Sequence, residues 1–480
     1  MARNNVGTGL VLLFLSAGNL GAGEILGGEP VLPILTSGAA IHNLTPSESK
    51  RRQPVHLRAV CVVCFEGWHG FFANDGFTGF FVEIKDQVPL TAAIRPGTLL
   101  DIEGVTGPGE FAPIIDEGTL RVLGQGAIPP ARQVSLDRLS TGVEDGQWVA
   151  FEGTVRSAEI RDSMRVRLVA SGRSQVEVMT PIDDRKEYSE LIGARVRVRG
   201  TVGPVLNQRR QLIAVNVYSP GSDAIQVLEP APADAFSLPE RKLRDLFEYV
   251  PGAGLDRQVR IHALVTARWG YAIFVTDGIQ GASLLSAESI SLESGDVVDA
   301  VGFPVLDNYT GTIQDAIFRR RGRRPLPAPR SIDVKQALSG DFDSDLVRID
   351  GRLIEQQRAK DQRTFLLEAD DSVFSAILPG NPMDHALDSL RDGSQIQLTG
   401  ICMISETMAV RHFRVPKAFQ LLLRSSRDIT VLRSSAWPTL EHALYALGIP
   451  LLTVLAILGW VLAFRAFRAT QTATHKQLGP

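Results

Sequence analysis

Near the C-terminal end of this sequence, Ala443 to Phe464 form one apolar run without a charge. A soluble helix of that length carries a polar face for water. One that is apolar all round suits the hydrocarbon core of a bilayer, which takes about 20 helical residues. The run therefore predicts a single membrane-spanning helix over 443–464, with a buried core helix as the alternative. Glu441 and His442 precede it; Arg465, Arg468 and Lys476 follow it. Basic residues collect on the cytoplasmic side of a membrane, so 465–480 is expected to be a short cytoplasmic tail and the large N-terminal body to lie outside.

The N-terminus points the same way. Arg3 gives a small basic start, Val11 to Leu15 an apolar centre, and Ser16-Ala17-Gly18 and Gly21-Ala22-Gly23 the small residues of a processing site. This predicts a secretory signal peptide over 1–23, cut near Ala22 or Gly23. An uncleaved anchor is the alternative, and it leaves the body outside as well. Together the two ends predict a single-pass membrane protein with its body outside the cytoplasm. The Asn43-Leu44-Thr45 sequon matters only in a eukaryotic secretory pathway.

A formal net charge of −3 gives no electrostatic reason to bind nucleic acid. Three cysteines cannot build a disulfide framework. Cys61 and Cys64 lie in Val60-Cys61-Val62-Val63-Cys64-Phe65, which reads as a strand. Residues three apart on a strand face opposite ways, so the pair is expected to hold neither a metal nor a disulfide. Cys402, in Gly400-Ile401-Cys402-Met403-Ile404, gets the same reading of a small buried apolar residue.

The body repeats itself. Pro54-Val55-His56-Leu57-Arg58-Ala59-Val60 corresponds to Gln258-Val259-Arg260-Ile261-His262-Ala263-Leu264, and Phe72-Ala73-Asn74-Asp75-Gly76 to Phe274-Val275-Thr276-Asp277-Gly278. Both copies reach a proline-rich joint, at Ile128–Arg132 and Leu326–Arg330, then a short helical stretch ending at Gly142 or Gly340. A second unit follows each: Trp148–Val155 parallels Leu346–Leu353, and Gly193–Gly200 parallels Gly393–Gly400. The order is A-B-A-B, with module A1 at 54–128, B1 at 146–228, A2 at 257–324 and B2 at 345–433. A linker, 229–256, separates the pairs and is expected to hold a helix from about Pro239 to Tyr249, with Leu243, Leu246 and Phe247 on one face.

Strict alternations such as Val196-Arg197-Val198-Arg199 mark strands with one buried face. Turn signals such as Asn74-Asp75-Gly76, Asp277-Gly278 and Arg391-Asp392-Gly393 separate them. Short strands in modules of this size predict a mainly β chain of four small barrels of the five-stranded oligonucleotide/oligosaccharide-binding (OB) kind, since closure removes exposed sheet edges. Linked β-sandwiches are the alternative.

No His-Glu-x-x-His, Gly-x-Ser-x-Gly or phosphate-loop pattern occurs, and the eight histidines are scattered. Asp75 and Asp277 are explained by Asp-Gly turn chemistry. No enzyme activity, cofactor or metal is expected. The candidate ligand contacts are aromatic: Trp68, His69 and Phe71 in A1, with Trp269 and Tyr271 at the matching place in A2, because such side chains stack on sugars or bases. A hairpin capping the barrel end is the alternative. The block Arg319–Arg324, absent from the first copy, reads either as a solvated loop or as an anionic-surface patch.

The signal peptide, Pro54–Val60, Pro96–Thr106, Phe111-Ala112-Pro113, Asp145–Val149, Asn207–Leu212 and the lone apolar run together resemble the extracytoplasmic half of certain bacterial sensor histidine kinases, over about Leu35 to Arg468. The resemblance implies a sensory input region of a two-component signalling protein, held in the bacterial inner membrane by one helix with its body in the periplasm and working as a homodimer. The ligand would be a small molecule, glycan or protein, without nucleic acid. No phosphoacceptor helix or ATP-lid pattern follows Phe464, so no kinase role passes to His475. A membrane-tethered glycan- or protein-binding scaffold is the other reading.

Overall fold

The computed structural model describes residues 32–87, 93–182, 191–248, 256–286, 291–306, 309–380, 387, 390–435 and 440–475. The expected signal peptide lies outside the described residues, as does the end of the expected tail. The chain is mainly β. In A1, β1 (Pro54–Val63), β2 (Gly70–Asn74), β3 (Gly79–Ile84), β4 (Thr98–Gly107) and β5 (Ile114–Gln125) close into a barrel in the order β1-β2-β3-β5-β4, with β3 and β5 parallel. Module B1 holds β6 (Arg132–Gln133), β7 (Trp148–Arg161), β8 (Met164–Ser171), β9 (Ser174–Pro181), β10 (Arg195–Leu206), β11 (Leu212–Tyr218) and β12 (Ile225–Glu229). Because β7 pairs with both β8 and β10, the same ring forms, flanked by β6 and β12.

A2 repeats the A1 barrel with β13 (Val259–Trp269), β14 (Ala272–Thr276), β15 (Gly281–Leu285), β16 (Asp296–Leu306) and β17 (Gly311–Arg323). B2 repeats B1 with β18 (Arg330–Ser331), β19 (Leu346–Arg358), β20 (Gln362–Ala369), β21 (Ser372–Pro379), β22 (Gln395–Val410), β23 (Phe413–Leu422) and β24 (Ile429–Arg433). The alternations do what their period requires. Val196 and Val198 of β10, and Ile396 and Leu398 of β22, are buried inside their rings. Arg195 and Arg197 reach outward to Glu152 on the neighbouring strand.

The duplication starts earlier than the sequence comparison placed it. Leu35 bridges Val55 in parallel, and Glu240 bridges Arg260 in the same way. Helix α1 (Gly38–His42) places Ile41 in the A1 core; Leu243 and Leu246 fill the A2 core from the corresponding segment. Asp75 and Asp277 tie these covers down, accepting from the Gly38 and Leu243 N–H groups at 2.7 and 3.4 Å. The expected helix over 239–249 is therefore corrected. Its described part holds a single 3-10 turn, Leu243–Asp245, which serves as a barrel cover. Leu243 and Leu246 satisfy the apolar pattern there, and a helix period over so few residues does not separate a full helix from one turn.

A β-bulge corrects the reading of the first two cysteines. Cys61 faces Ala73 but Val63 already faces Phe72, so one extra residue enters β1. That residue shifts the alternation by one. Cys61 then lies in the A1 core, and Cys64, just past the end of β1, packs against that same core and donates to the Ile94 carbonyl oxygen at 3.4 Å. The same bulge recurs in β13 between Val265 and Ala267.

Two compact units emerge: the chain up to Pro130 with Asp145–Gln147, and the remainder. After β24, the helix Leu440–His475 contains the expected apolar stretch; Tyr445–Ala466 is long and apolar enough to cross a membrane, and none of it is buried.

Candidate functional site

The aromatic candidates do not form one equivalent pair. Register places Trp269 opposite Ala272, with Gly270 and Tyr271 making a tight turn. The A1 connection is longer, and the position matching Trp269 is Phe65. Trp68 sits in the extra loop, where its ring meets Phe65 edge-on at 4.7 Å. Phe71 is fully buried among Cys61, Ala73 and Phe80 in the A1 core, a place that gives it no access to a ligand. Trp269 packs against Ala267 and Phe274 of A2 and Leu346, Ile401 and Leu422 of B2, so it belongs to the seam between those barrels. His69 is exposed, and Tyr271 stands 82% exposed at its turn.

The arginine block is strand, not loop: Arg319 to Arg323 end β17. Arg319 lies over the Phe236 ring at 4.2 Å. Arg320 pairs with Asp296 at 2.9 Å, Arg321 with Asp299 at 2.7 Å and Arg323 with Glu293 at 2.9 Å. Those partners compensate the cations that an anionic surface would need. Asp299 also accepts from His262 at 2.8 Å, and Asp101 meets His56 at 3.2 Å and Arg121. Hydrogen bonds to Arg121 hold the Asp101 carboxyl below its usual range. Each A barrel thus carries one buried aspartate bracketed by a histidine and arginines. Among the described residues, no three His, Cys, Asp or Glu groups cluster as metal ligands.

The most built feature is a duplicated strap that the residue patterns did not single out. In the second unit, Asp343-Ser344-Asp345 runs into β19 across the mouth of A2. Asp343 accepts the Thr310 hydroxyl, and its other oxygen accepts the Ile404 N–H at 2.7 Å. The Asp345 carboxyl lies against Gly281, where an added Cβ would stand 2.8 Å from its Oδ1. The backbones approach so closely that a Cβ on Gly281 would sit 2.1 Å from the Ser344 carbonyl oxygen. In the first unit, Asp145-Gly146-Gln147 does the same to A1. Asp145 accepts the Ala112 N–H at 3.1 Å, and Gln147 clasps both backbone groups of Gly79 at 3.1 and 3.0 Å. A Cβ on Gly79 would lie 2.2 Å from the Gly146 oxygen.

Burial penalises the charged form of these carboxyls. It pushes Asp345 up to about 6, despite Arg330 at 3.6 Å, and pushes Asp145 up to about 6. Asp343 is raised for the same reason. The available signal was the repeat itself, which aligns Asp145 with Asp343 and Gly79 with Gly281.

No protein-family model matches the chain, and no curated protein matches it. Among solved structures, a murine DNA-binding protein bound with double-stranded DNA is similar at 10% identity and a TM-score of 0.21, over 38% of this chain and 98% of that one. Asparaginyl-tRNA synthetase from Pyrococcus horikoshii is similar at 15% identity and a TM-score of 0.18, over 22% of this chain and 23% of that one. Likenesses this weak carry no functional argument.

Proposed function

We propose that this chain is the extracytoplasmic input region of a membrane-anchored signal-transduction protein, of the kind that feeds a histidine kinase. The observation that carries the reading is the direct succession of a clasped barrel pair and a lipid-type helix: β24 ends at Arg433 and the helix begins at Leu440. A ligand that favours one arrangement of A2 against B2 over another shifts that equilibrium by its differential affinity. The seam around Trp269 and the Asp343–Asp345 strap are the parts that must rearrange, and the helix passes the change inward. The exposed Tyr271 turn lies at the edge of that seam and is the preferred contact for a small molecule, glycan or protein. The body faces the periplasm, Arg465 and Arg468 face the cytoplasm, and two copies work together.

Fusing residues 1–468 to a histidine-kinase core that lacks its own sensor tests this. The expected result is autophosphorylation that changes with medium composition and with Trp269→Ala or Asp345→Asn. Output that stays constant across all media and both variants supports a tethered scaffold instead and overturns the reading.

A further inference from the structure

The long hairpin of B2 differs from its counterpart in B1. In B1, β10 stops at Leu206 and β11 starts at Leu212, and the turn between them is polar. Its Asn207 carboxamide oxygen accepts from the N–H groups of Arg209 and Gln211 at 2.9 and 3.0 Å. In B2, β22 continues past Glu406, the equivalent of Leu206, to Val410, and β23 returns from Phe413. Register pairs Met408 with Val415 and Val410 with Phe413, so these apolar side chains share one face of the extension. All of them are exposed, Phe413 at 74%. Arg411, His412 and Arg414 are exposed at the same tip. Glu406 is paired with Lys417 at 3.2 Å, and no acidic residue lies from Thr407 to Arg427.

We propose that this hairpin rests in the headgroup layer of the bilayer that holds the chain's own helix. Met408, Val410, Phe413 and Val415 face the acyl boundary, and Arg411 and Arg414 meet anionic lipid phosphates. The inference rests on the membrane anchoring put forward above. Apolar side chains gathered on one exposed face gain by leaving water. Cations beside such a face suit an anionic lipid surface, with their stems along the apolar layer and their heads at the phosphates. Hairpin and helix are also close along the chain: β24 pairs with the start of β22, Ile429 beside Leu398, and the helix begins at Leu440. The tip at Val410 is at most about 40 Å along the strand from Leu398, so β22 lying along the bilayer brings the tip to its surface.

The test places the photoreactive residue p-benzoylphenylalanine in place of Phe413 in the full chain, reconstituted in vesicles of two parts phosphatidylcholine to one part phosphatidylglycerol. Chains with the same probe in place of Arg209, in the B1 turn, and of Leu452, in the apolar helix, are the controls. After irradiation, mass spectrometry is expected to find lipid adducts at the Phe413 and Leu452 positions and none above background at that of Arg209. Arg411→Gln with Arg414→Gln should lower the hairpin adduct about fivefold or more and leave the helix adduct unchanged. A helix adduct without a hairpin adduct, or equal adducts in the two hairpins, would overturn the hairpin contact while leaving the anchor standing. A chain-to-chain product at Phe413 in place of the lipid adduct would overturn it too, by showing that a second copy covers the face. Absence of the helix adduct would overturn the anchoring and the hairpin contact together.

Discussion

At the scale of single residues, Asp345 sets a pH dependence whose sign is fixed by burial. Its folded-state pKa of about 6 lies above the ordinary aspartate value near 3.9. A carboxyl raised on folding contributes most when protonated, so the strap is favoured below about pH 4 and loses that contribution as pH rises through about 6. Asp345→Asn removes the titration. The variant is expected to match the unaltered chain in unfolding free energy near pH 4 and to exceed it at pH 7.5, by roughly 1–2 kcal/mol after allowance for Arg330 and solvent. Parallel curves across that range would show that Asp345 does not titrate in the joint. Residue roles are hard to read from the sequence because cross-strand partners are invisible there. His56 and His262 occupy unmatched positions of the repeat. Register shows that His56 stands where Arg260 does and Arg58 where His262 does, each pair beside one aspartate of the facing strand. The facing of Cys61 and Cys64 is hidden for a related reason: a bulge turns residues over without leaving a mark in composition.

At the scale of elements, the strap and the strand edge beneath it act as one close contact. Gly281 begins β15, and the missing Cβ is what admits the Ser344 carbonyl. Gly281→Ala is expected to cost about 1–3 kcal/mol, the usual penalty for overpacking. It should also speed tryptic cleavage after Arg330, which donates to the Ile279 carbonyl at 2.7 Å across the same joint. Gly322→Ala, where an added Cβ meets nothing within 4 Å, is the control and should leave both readouts unchanged. Equal behaviour of the two variants would mean that the strap does not hold the barrels together. Strands are legible because period-2 alternation is local, as in Val196 and Val198. The covers over each barrel are not: Leu243 and Leu246 have an apolar spacing that a helix and a single turn share.

At the scale of the whole molecule, duplication is the most legible property, because it needs only order along the chain. The apolar helix is equally plain, since every residue from Tyr445 to Leu462 is uncharged whatever its partners. What stays hidden in the sequence is the division of the body into two units, with Asp145–Gln147 grouped with the first barrel rather than with the module it leads into. That grouping depends on contacts distant in sequence. The central claim is that four β-barrels stand outside a membrane on one helix. Protease treatment of spheroplasts carrying an epitope after Pro480 tests it most directly. The account predicts that the barrels are digested from outside while the epitope stays protected until the membrane is lysed. Protection of the barrels together with loss of the epitope would contradict it.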